Sequence, residues 1–169
     1  MPKGEPKEII PSVQEELQDA GYVLARDAKA EFGDWLSLPA WDWYTTHTFK
    51  ASFVSRKEAD RHWYSWLNGL RISAKAKGLT PSVYGSEAPF YFRVAEYQER
   101  GTLHYHALIG NVGDIRRLLF KDIWELHGFA RVEKYEAGKG ANFYVGKYLT
   151  KAGGDIRFSH NLIAHLTLR

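Results

Sequence analysis

Three side chains in the middle of the chain have the types and spacing of a cation site. The segment Leu103-His104-Tyr105-His106-Ala107-Leu108 reads as a β-strand. Side chains alternate across a strand, so His104 and His106 face one way, about 7 Å apart. Leu103, Tyr105, Ala107 and Ile109 take the other face. The preceding strand supplies a third donor through register. Glu99-Arg100-Gly101 fits a three-residue hairpin loop with glycine in the left-handed position. Gln98 then pairs with Thr102 and Glu96 with His104, and cross-strand pairs share a face. A slip of one residue would send Glu96 to the wrong side. Two neutral imidazoles and one carboxylate leave coordination positions open, as a Lewis-acid site requires. Mg²⁺ or Mn²⁺ is the expected cation, and imidazole donors favour Mn²⁺ between them.

A second set lies near the C-terminus. Phe143-Tyr144-Val-Gly-Lys147-Tyr148-Leu-Thr-Lys151 repeats Tyr-x-x-Lys at a period of four. On a helix Tyr144 and Tyr148 share one face, and Lys147 and Lys151 share an adjacent one. A phenol is a weak nucleophile at neutral pH and becomes a strong one when a neighbouring cation helps it lose its proton. The competing interpretation is an amphipathic helix whose tyrosines pack on a sheet while its lysines face water.

The elements that must position these residues follow from periodicity. Residues 1–10 read as a loose start. Val13, Leu17, Ala20, Leu24 and Ala28 recur at helical spacing from Ser12 to about Glu31. An irregular aromatic connector follows. Trp41 to Phe53 reads as a strand, and Ser55-Arg-Lys-Glu58 as a capping box opening a helix to about Lys77. Phe90–Gln98 and Thr102–Ile109 read as strands. Asp114 is placed as the cap of a helix ending near Gly128, followed by a strand from Phe129 to Tyr135. Gly138-Lys-Gly140 is a turn, and Ala141 to Ala152 a helix closed by Gly153-Gly154. The tail is left between a final strand and an extension. Strand, helix, strand, strand, helix, strand, helix is the ferredoxin-like split arrangement, similar to that of RNA-recognition modules. The expected class is α+β: an antiparallel sheet flanked by helices. Residues 1–40 form a helical extension and connector, and residues 41–169 one domain.

Bulk properties narrow the function. A chain of 169 residues with 44% hydrophobic residues can bury a core, and the absence of cysteine excludes thiolate metal sites and cysteine nucleophiles. No apolar run reaches membrane-span length, and MPKGEPKEII lacks a signal core. A soluble intracellular protein is expected. The net charge of +3 is unevenly spread: residues 112–169 hold ten Lys or Arg against six Asp or Glu. The basic excess lies where the tyrosines lie and suits an anionic partner.

Taken together, these residues resemble the HUH endonucleases, and specifically rolling-circle replication initiators of the two-tyrosine type found in plasmids and single-stranded DNA phages. Thr46-His-Thr48-Phe49 looks like the first motif, Glu96 with His104-Tyr-His106 the second, and Tyr144-x-x-Lys147-Tyr148-x-x-Lys151 the third. The ordered set spans Trp43 to about Lys151; Tyr105 is an aromatic where the family usually has a hydrophobe. The resemblance implies sequence-specific nicking and joining of single-stranded DNA at an origin, with a hairpin in some cases, through a 5′-phosphotyrosine link. It implies a host helicase as a further partner and the cytoplasm of a bacterial or archaeal host as the place of action. Tyr148 is expected to make the first bond and Tyr144 the second transfer, with Lys147 positioning or activating. Lys151, Arg116, Arg117 and Lys121 are the candidate phosphate contacts. His47 is at most a fourth contact, because Thr46 and Thr48 face the other way, and His62, His127, His160 and His165 are expected not to ligate. Three rival readings remain: an HUH transposase, disfavoured because Tyr148 stands where that family carries a glutamine; a non-catalytic RRM-like binder of single strands, which needs no metal; and a two-histidine, one-carboxylate oxygenase, which predicts a jelly roll.

Overall fold

The computed structural model describes residues 30–76, 89–98, 101–113, 115–151 and 155–166. The helix expected from Ser12, Glu99 and Arg100 of the hairpin, Asp114 and the Gly153-Gly154 stop lie outside the described residues, apart from the end of that first helix.

Residues 30–36 form α1. It is followed by β1 (Trp41–Phe49), α2 (Arg56–Ala76), β2 (Phe90–Tyr97), β3 (Leu103–Gly110), α3 (Arg117–Trp124), β4 (Gly128–Lys134), α4 (Ala141–Lys151), β5 (Ile156–Phe158) and α5 (Leu162–Leu166). The strands form one antiparallel sheet in the order β4-β1-β3-β2-β5. The fold is α+β, with an open five-stranded sheet flanked by helices, and its first four strands carry the split βαββαβ connectivity.

Alternation along the strands divides the core in two. Phe49, Tyr91, Ala95, Tyr105, Ala107, Ala130 and Val132 meet Trp63, Trp66 and Leu70 of α2 and Phe120 and Trp124 of α3. On the other face Tyr44, Phe92, Val94 and Leu108 meet Leu36 of α1 and Ala141, Tyr144, Val145 and Tyr148 of α4. Two of the core indoles bury their polar tips in hydrogen bonds: Trp66 Nε1 donates to the Phe120 carbonyl at 3.0 Å and Trp124 Nε1 to that of Thr48 at 3.2 Å. Such bonds remove the penalty of an unpaired buried donor. Ser55 caps α2 as read from the sequence, accepting the Glu58 N–H at 3.2 Å.

Boundaries of β1 and α3 differ from the sequence reading, and the tail takes the strand alternative. β1 ends at Phe49 rather than Phe53, because its partner β4 begins opposite it at Gly128 and the Lys50 N–H pairs with the His127 carbonyl. A Cβ at Gly128 would lie 1.9 Å from the Thr48 carbonyl oxygen, so only glycine admits this close approach. α3 begins at Arg117; its N-cap is Arg116, without a side-chain cap. Ile115 is buried ahead of the helix and not on it. The tail pairs with β2 as β5, a three-residue edge strand too short to carry a periodic signal.

His47 is fully buried on the indole side, its ring centroid 5.1, 4.4 and 4.4 Å from those of Trp63, Trp66 and Trp124. Its Nε2 lies 3.0 Å from Thr45 Oγ1. Burial, reinforced by Arg93 and His106, pushes its pKa down to about 3. An unfolded histidine protonates near pH 6.5 and the folded one only near pH 3, so between these values the unfolded chain binds the extra proton. Stability should therefore fall by about 1.4 kcal/mol per pH unit as pH drops below 6.5. Thermal melts of wild type and His47→Leu between pH 7 and 4.5 check this: the variant should lose one proton's worth of the slope, and parallel slopes would refute the assignment to His47.

Candidate active site

The hairpin between β2 and β3 sets the register. Gln98 N–H bonds the Thr102 carbonyl at 2.9 Å, Gly101 N–H bonds that of Gln98 at 2.8 Å, and Gly101 has φ +76°. Glu96 consequently sits opposite His104, and Val94 opposite His106. On the other side β1 brings Thr48 opposite His104 and Thr46 opposite His106. The expected trio thus shares one face of the sheet, away from the indole core.

His106 is the centre of the arrangement. Its Nε2 lies 2.9 Å from Glu96 Oε2, and its Nδ1 lies 3.2 Å from both Tyr44 Oη and Thr46 Oγ1. These partners assign the tautomer: Nε2–H donates to the carboxylate and Nδ1 accepts from a hydroxyl. Burial pushes the His106 pKa down to about 4, although Glu96 pulls it upward. Burial also lowers the pKa of His104, whose Nδ1 lies 3.4 Å from Gln98 Nε2. Both imidazoles are neutral at pH 7, the form that ligates metals.

α4 crosses this face and makes its two tyrosines inequivalent. The Tyr148 ring stacks on His106, with centroids 3.6 Å apart and planes 11° apart. Tyr144, one turn earlier, packs on Tyr44 and Tyr135, and its oxygen accepts the Glu136 N–H at 2.8 Å. Burial raises the Tyr148 phenol while the Tyr44 hydroxyl works against the rise. Burial raises Tyr44 far more, so it stays protonated. Lys147 Nζ lies 4.6 Å from the Tyr148 ring centroid.

A cavity of about 430 Å³ gathers Glu96, His104, His106, Lys147 and Tyr148 with Tyr44, Thr46, Thr48, Phe129 and Arg131. A neighbouring cavity of about 600 Å³ is lined by Tyr144 together with Tyr44, Arg117, Lys139, Lys147 and Tyr148. Lys121 Nζ lies 5.2 Å from the ring centroid of Phe129. Arg116 is exposed at the start of α3 and lines neither cavity. Lys151 is the last residue of α4. His47 faces away from the site, as alternation requires, and His62 packs against His127 with centroids 4.2 Å apart. Among the described residues, no three His, Asp or Glu side chains are gathered closely enough to form a ready cation site. Glu96 and His106 are bonded to each other instead, and His104 turns to Gln98. The donor chemistry nevertheless fits a divalent cation: two imidazoles held neutral by burial and a carboxylate on one face.

Tyr44 is a site residue that none of the sequence motifs includes. It lies two residues before Thr46, so period-two alternation alone places it on the site face.

A family model described as replication-associated protein ORF2/G2P matches residues 42–153. The chain belongs to this family. No curated protein and no solved structure gives a match. As a member of the ORF2/G2P family the chain has a role in the initiation of DNA replication. The ORF2/G2P match opens within β1 and closes just beyond α4, so it encloses every residue that lines the two cavities. No helix among the described residues is long and apolar enough to cross a membrane.

Proposed function

We propose that the chain is an HUH-type nickase and strand transferase, which cuts single-stranded DNA at a replication origin and rejoins it to start and end rolling-circle copying. The observation that carries this reading is the stacking of Tyr148 on His106 at 3.6 Å, in a cavity that also holds Glu96, His104 and Lys147. A candidate nucleophile, a basic side chain and a donor set for a cation share one open space.

His104, His106 and Glu96 would hold Mg²⁺ or Mn²⁺, which when bound supplies Lewis-acid polarisation of a phosphoryl oxygen. Tyr148 attacks the phosphorus, forming a phosphotyrosine ester with the 5′ end and releasing a 3′-hydroxyl. Lys147, its ammonium 4.6 Å from the Tyr148 ring centroid, would position the phosphate or help the phenol lose its proton. Tyr144, tied at present to the Glu136 N–H, serves the second transfer, in which the strand is handed on after copying. Arg117 lines the larger cavity and Lys121 lies beside Phe129, which lines the smaller, so both remain candidate phosphate contacts.

Incubation with a pool of random-sequence single-stranded oligonucleotides and Mn²⁺, followed by a denaturing gel, tests the reading. A covalent protein–DNA band dependent on the cation is expected; binding without a band would leave a single-strand binder. Phosphate recognition has its own readout. Removing one side chain that neutralises a phosphate should flatten the dependence of log affinity on log salt by about 0.7 for single strands. Lys147→Ala with Lys151→Ala should therefore flatten it by about twice that, and an unchanged slope means that neither lysine holds a phosphate.

A further inference from the structure

Tyr44 reaches the site from the sheet and belongs to none of the motifs singled out in the sequence. We propose that it is a positioning residue for the strand-transfer step, its hydroxyl holding the Tyr148 oxygen in line and donating a hydrogen bond to it as that oxygen becomes the nucleophile. The inference rests on the nicking reading above and deepens it.

The placement of the three rings carries it. Tyr44 lines both cavities, as Tyr148 does. The planes of Tyr44 and Tyr148 lie within 10° and 11° of that of His106, so the three rings form one parallel set. The two phenol hydroxyls are near enough to share a hydrogen bond. Tyr44 also lies 5.2 Å, centroid to centroid, from Tyr144, and so touches both candidate nucleophiles. Its own backbone is fixed in β1, paired on both sides by β3 and β4. A donor mounted on a strand holds its position better than one on a helix end or loop.

The hydrogen of Tyr44 is also free to be redirected. Tyr44 Oη and Thr46 Oγ1 lie at the same 3.2 Å from His106 Nδ1, and one lone pair needs only one of them. When Thr46 satisfies the imidazole, the Tyr44 hydrogen can turn to Tyr148 with no buried group left unpaired. The step itself balances without a co-reactant: the bond from Tyr148 Oη to phosphorus forms, the bond from phosphorus to O3′ breaks, and one proton passes overall from the phenol to the departing 3′ oxygen.

Single-turnover adduct formation with the random-sequence oligonucleotide pool and Mn²⁺ tests this, alongside oligonucleotide affinity and thermal melting without metal. Tyr44→Phe keeps the ring and removes the donor. A hydrogen bond to a charged oxygen corresponds to roughly a ten- to hundredfold change in rate, so adduct formation should slow by that much while affinity stays within about twofold. The Mn²⁺ concentration that gives half-maximal adduct formation separates this from a merely structural role: in Tyr44→Phe it should stay within about twofold of wild type, with the loss confined to the rate at saturating Mn²⁺. A rate restored at high Mn²⁺ would mean that Tyr44 only steadies His106, and a Tyr44→Phe rate equal to wild type would overturn the proposal outright. Failure of wild type to form any adduct is a different result, since it removes the nicking reading on which this inference rests.

Discussion

Tyr148→Phe should abolish the covalent adduct with single-stranded DNA while leaving oligonucleotide affinity within about twofold of wild type. The substitution removes one oxygen and keeps the ring that stacks 3.6 Å from His106, so packing on the imidazole survives. What is removed is the only atom that can form the phosphate ester from that position. Loss of a nucleophile removes the chemical step, and the residual rate is expected below detection, a change of at least roughly a thousandfold. Tyr144→Phe should behave differently. Its oxygen accepts the Glu136 N–H at 2.8 Å, one helical turn from the His106 face, so it is not in line for the first attack without movement. That variant should form the first adduct and fail in re-joining, which a pulse of labelled acceptor strand after adduct formation would reveal. Should Tyr144→Phe alone abolish the adduct, the order of the two tyrosines is reversed. An adduct in the double variant would exclude both tyrosines of α4 as the nucleophile.

How far the sequence revealed this site differs from residue to residue, for physical reasons. The facing of Glu96, His104 and His106 was legible because it depends only on strand alternation and on a glycine in the left-handed position of a short hairpin; Gly101 at φ +76° and the Glu96–His104 pairing bear this out. The shared face of Tyr144 and Tyr148 was legible from helical period alone. Their inequivalence was not, because it depends on where α4 crosses the sheet, a matter of docking that no local pattern encodes. The exclusion of His47 followed from alternation, but its cage of three indoles joins residues 16 to 77 positions away in the chain. The end of β1 was misplaced for a related reason: Phe53 suits a strand, yet pairing stops where β4 begins. Arg93 is the clearest case of what stays hidden, since nothing in FYFRVAEY signals that its one charged residue before the glutamate is 1% exposed.

That arginine leads to the largest expected effect on stability. Arg93 Nη2 donates to Asp60 Oδ1 at 2.7 Å, its guanidinium lies 4.0 Å from the Tyr105 ring centroid and 5.1 Å from that of Trp63, and Tyr105 Oη donates to the same Asp60 oxygen at 2.9 Å. Arg56 pairs with Asp155 beside β5 and reaches Asp60 at 3.7 Å, so the cluster ties α2 to the strands that carry Glu96 and His104. A buried ion pair contributes little over well-packed apolar residues, because desolvation offsets its attraction, but removing one partner leaves a charge with no compensation. Asp60→Ala should therefore cost about 3 kcal/mol, the low end for such a removal because Asp60 itself is 24% exposed, lowering Tm by about 10 °C in a chain of this size. Asp60→Asn keeps an acceptor for Tyr105 and should fall between. The decisive comparison is the double variant Arg93→Met, Asp60→Leu, which removes both charges and fills the space. If the cost of Asp60→Ala comes from the orphaned guanidinium, the double variant melts higher than Asp60→Ala does. If it melts at the same temperature or lower, the pair and its hydrogen bonds stabilise the fold in their own right, and the charge-compensation argument fails.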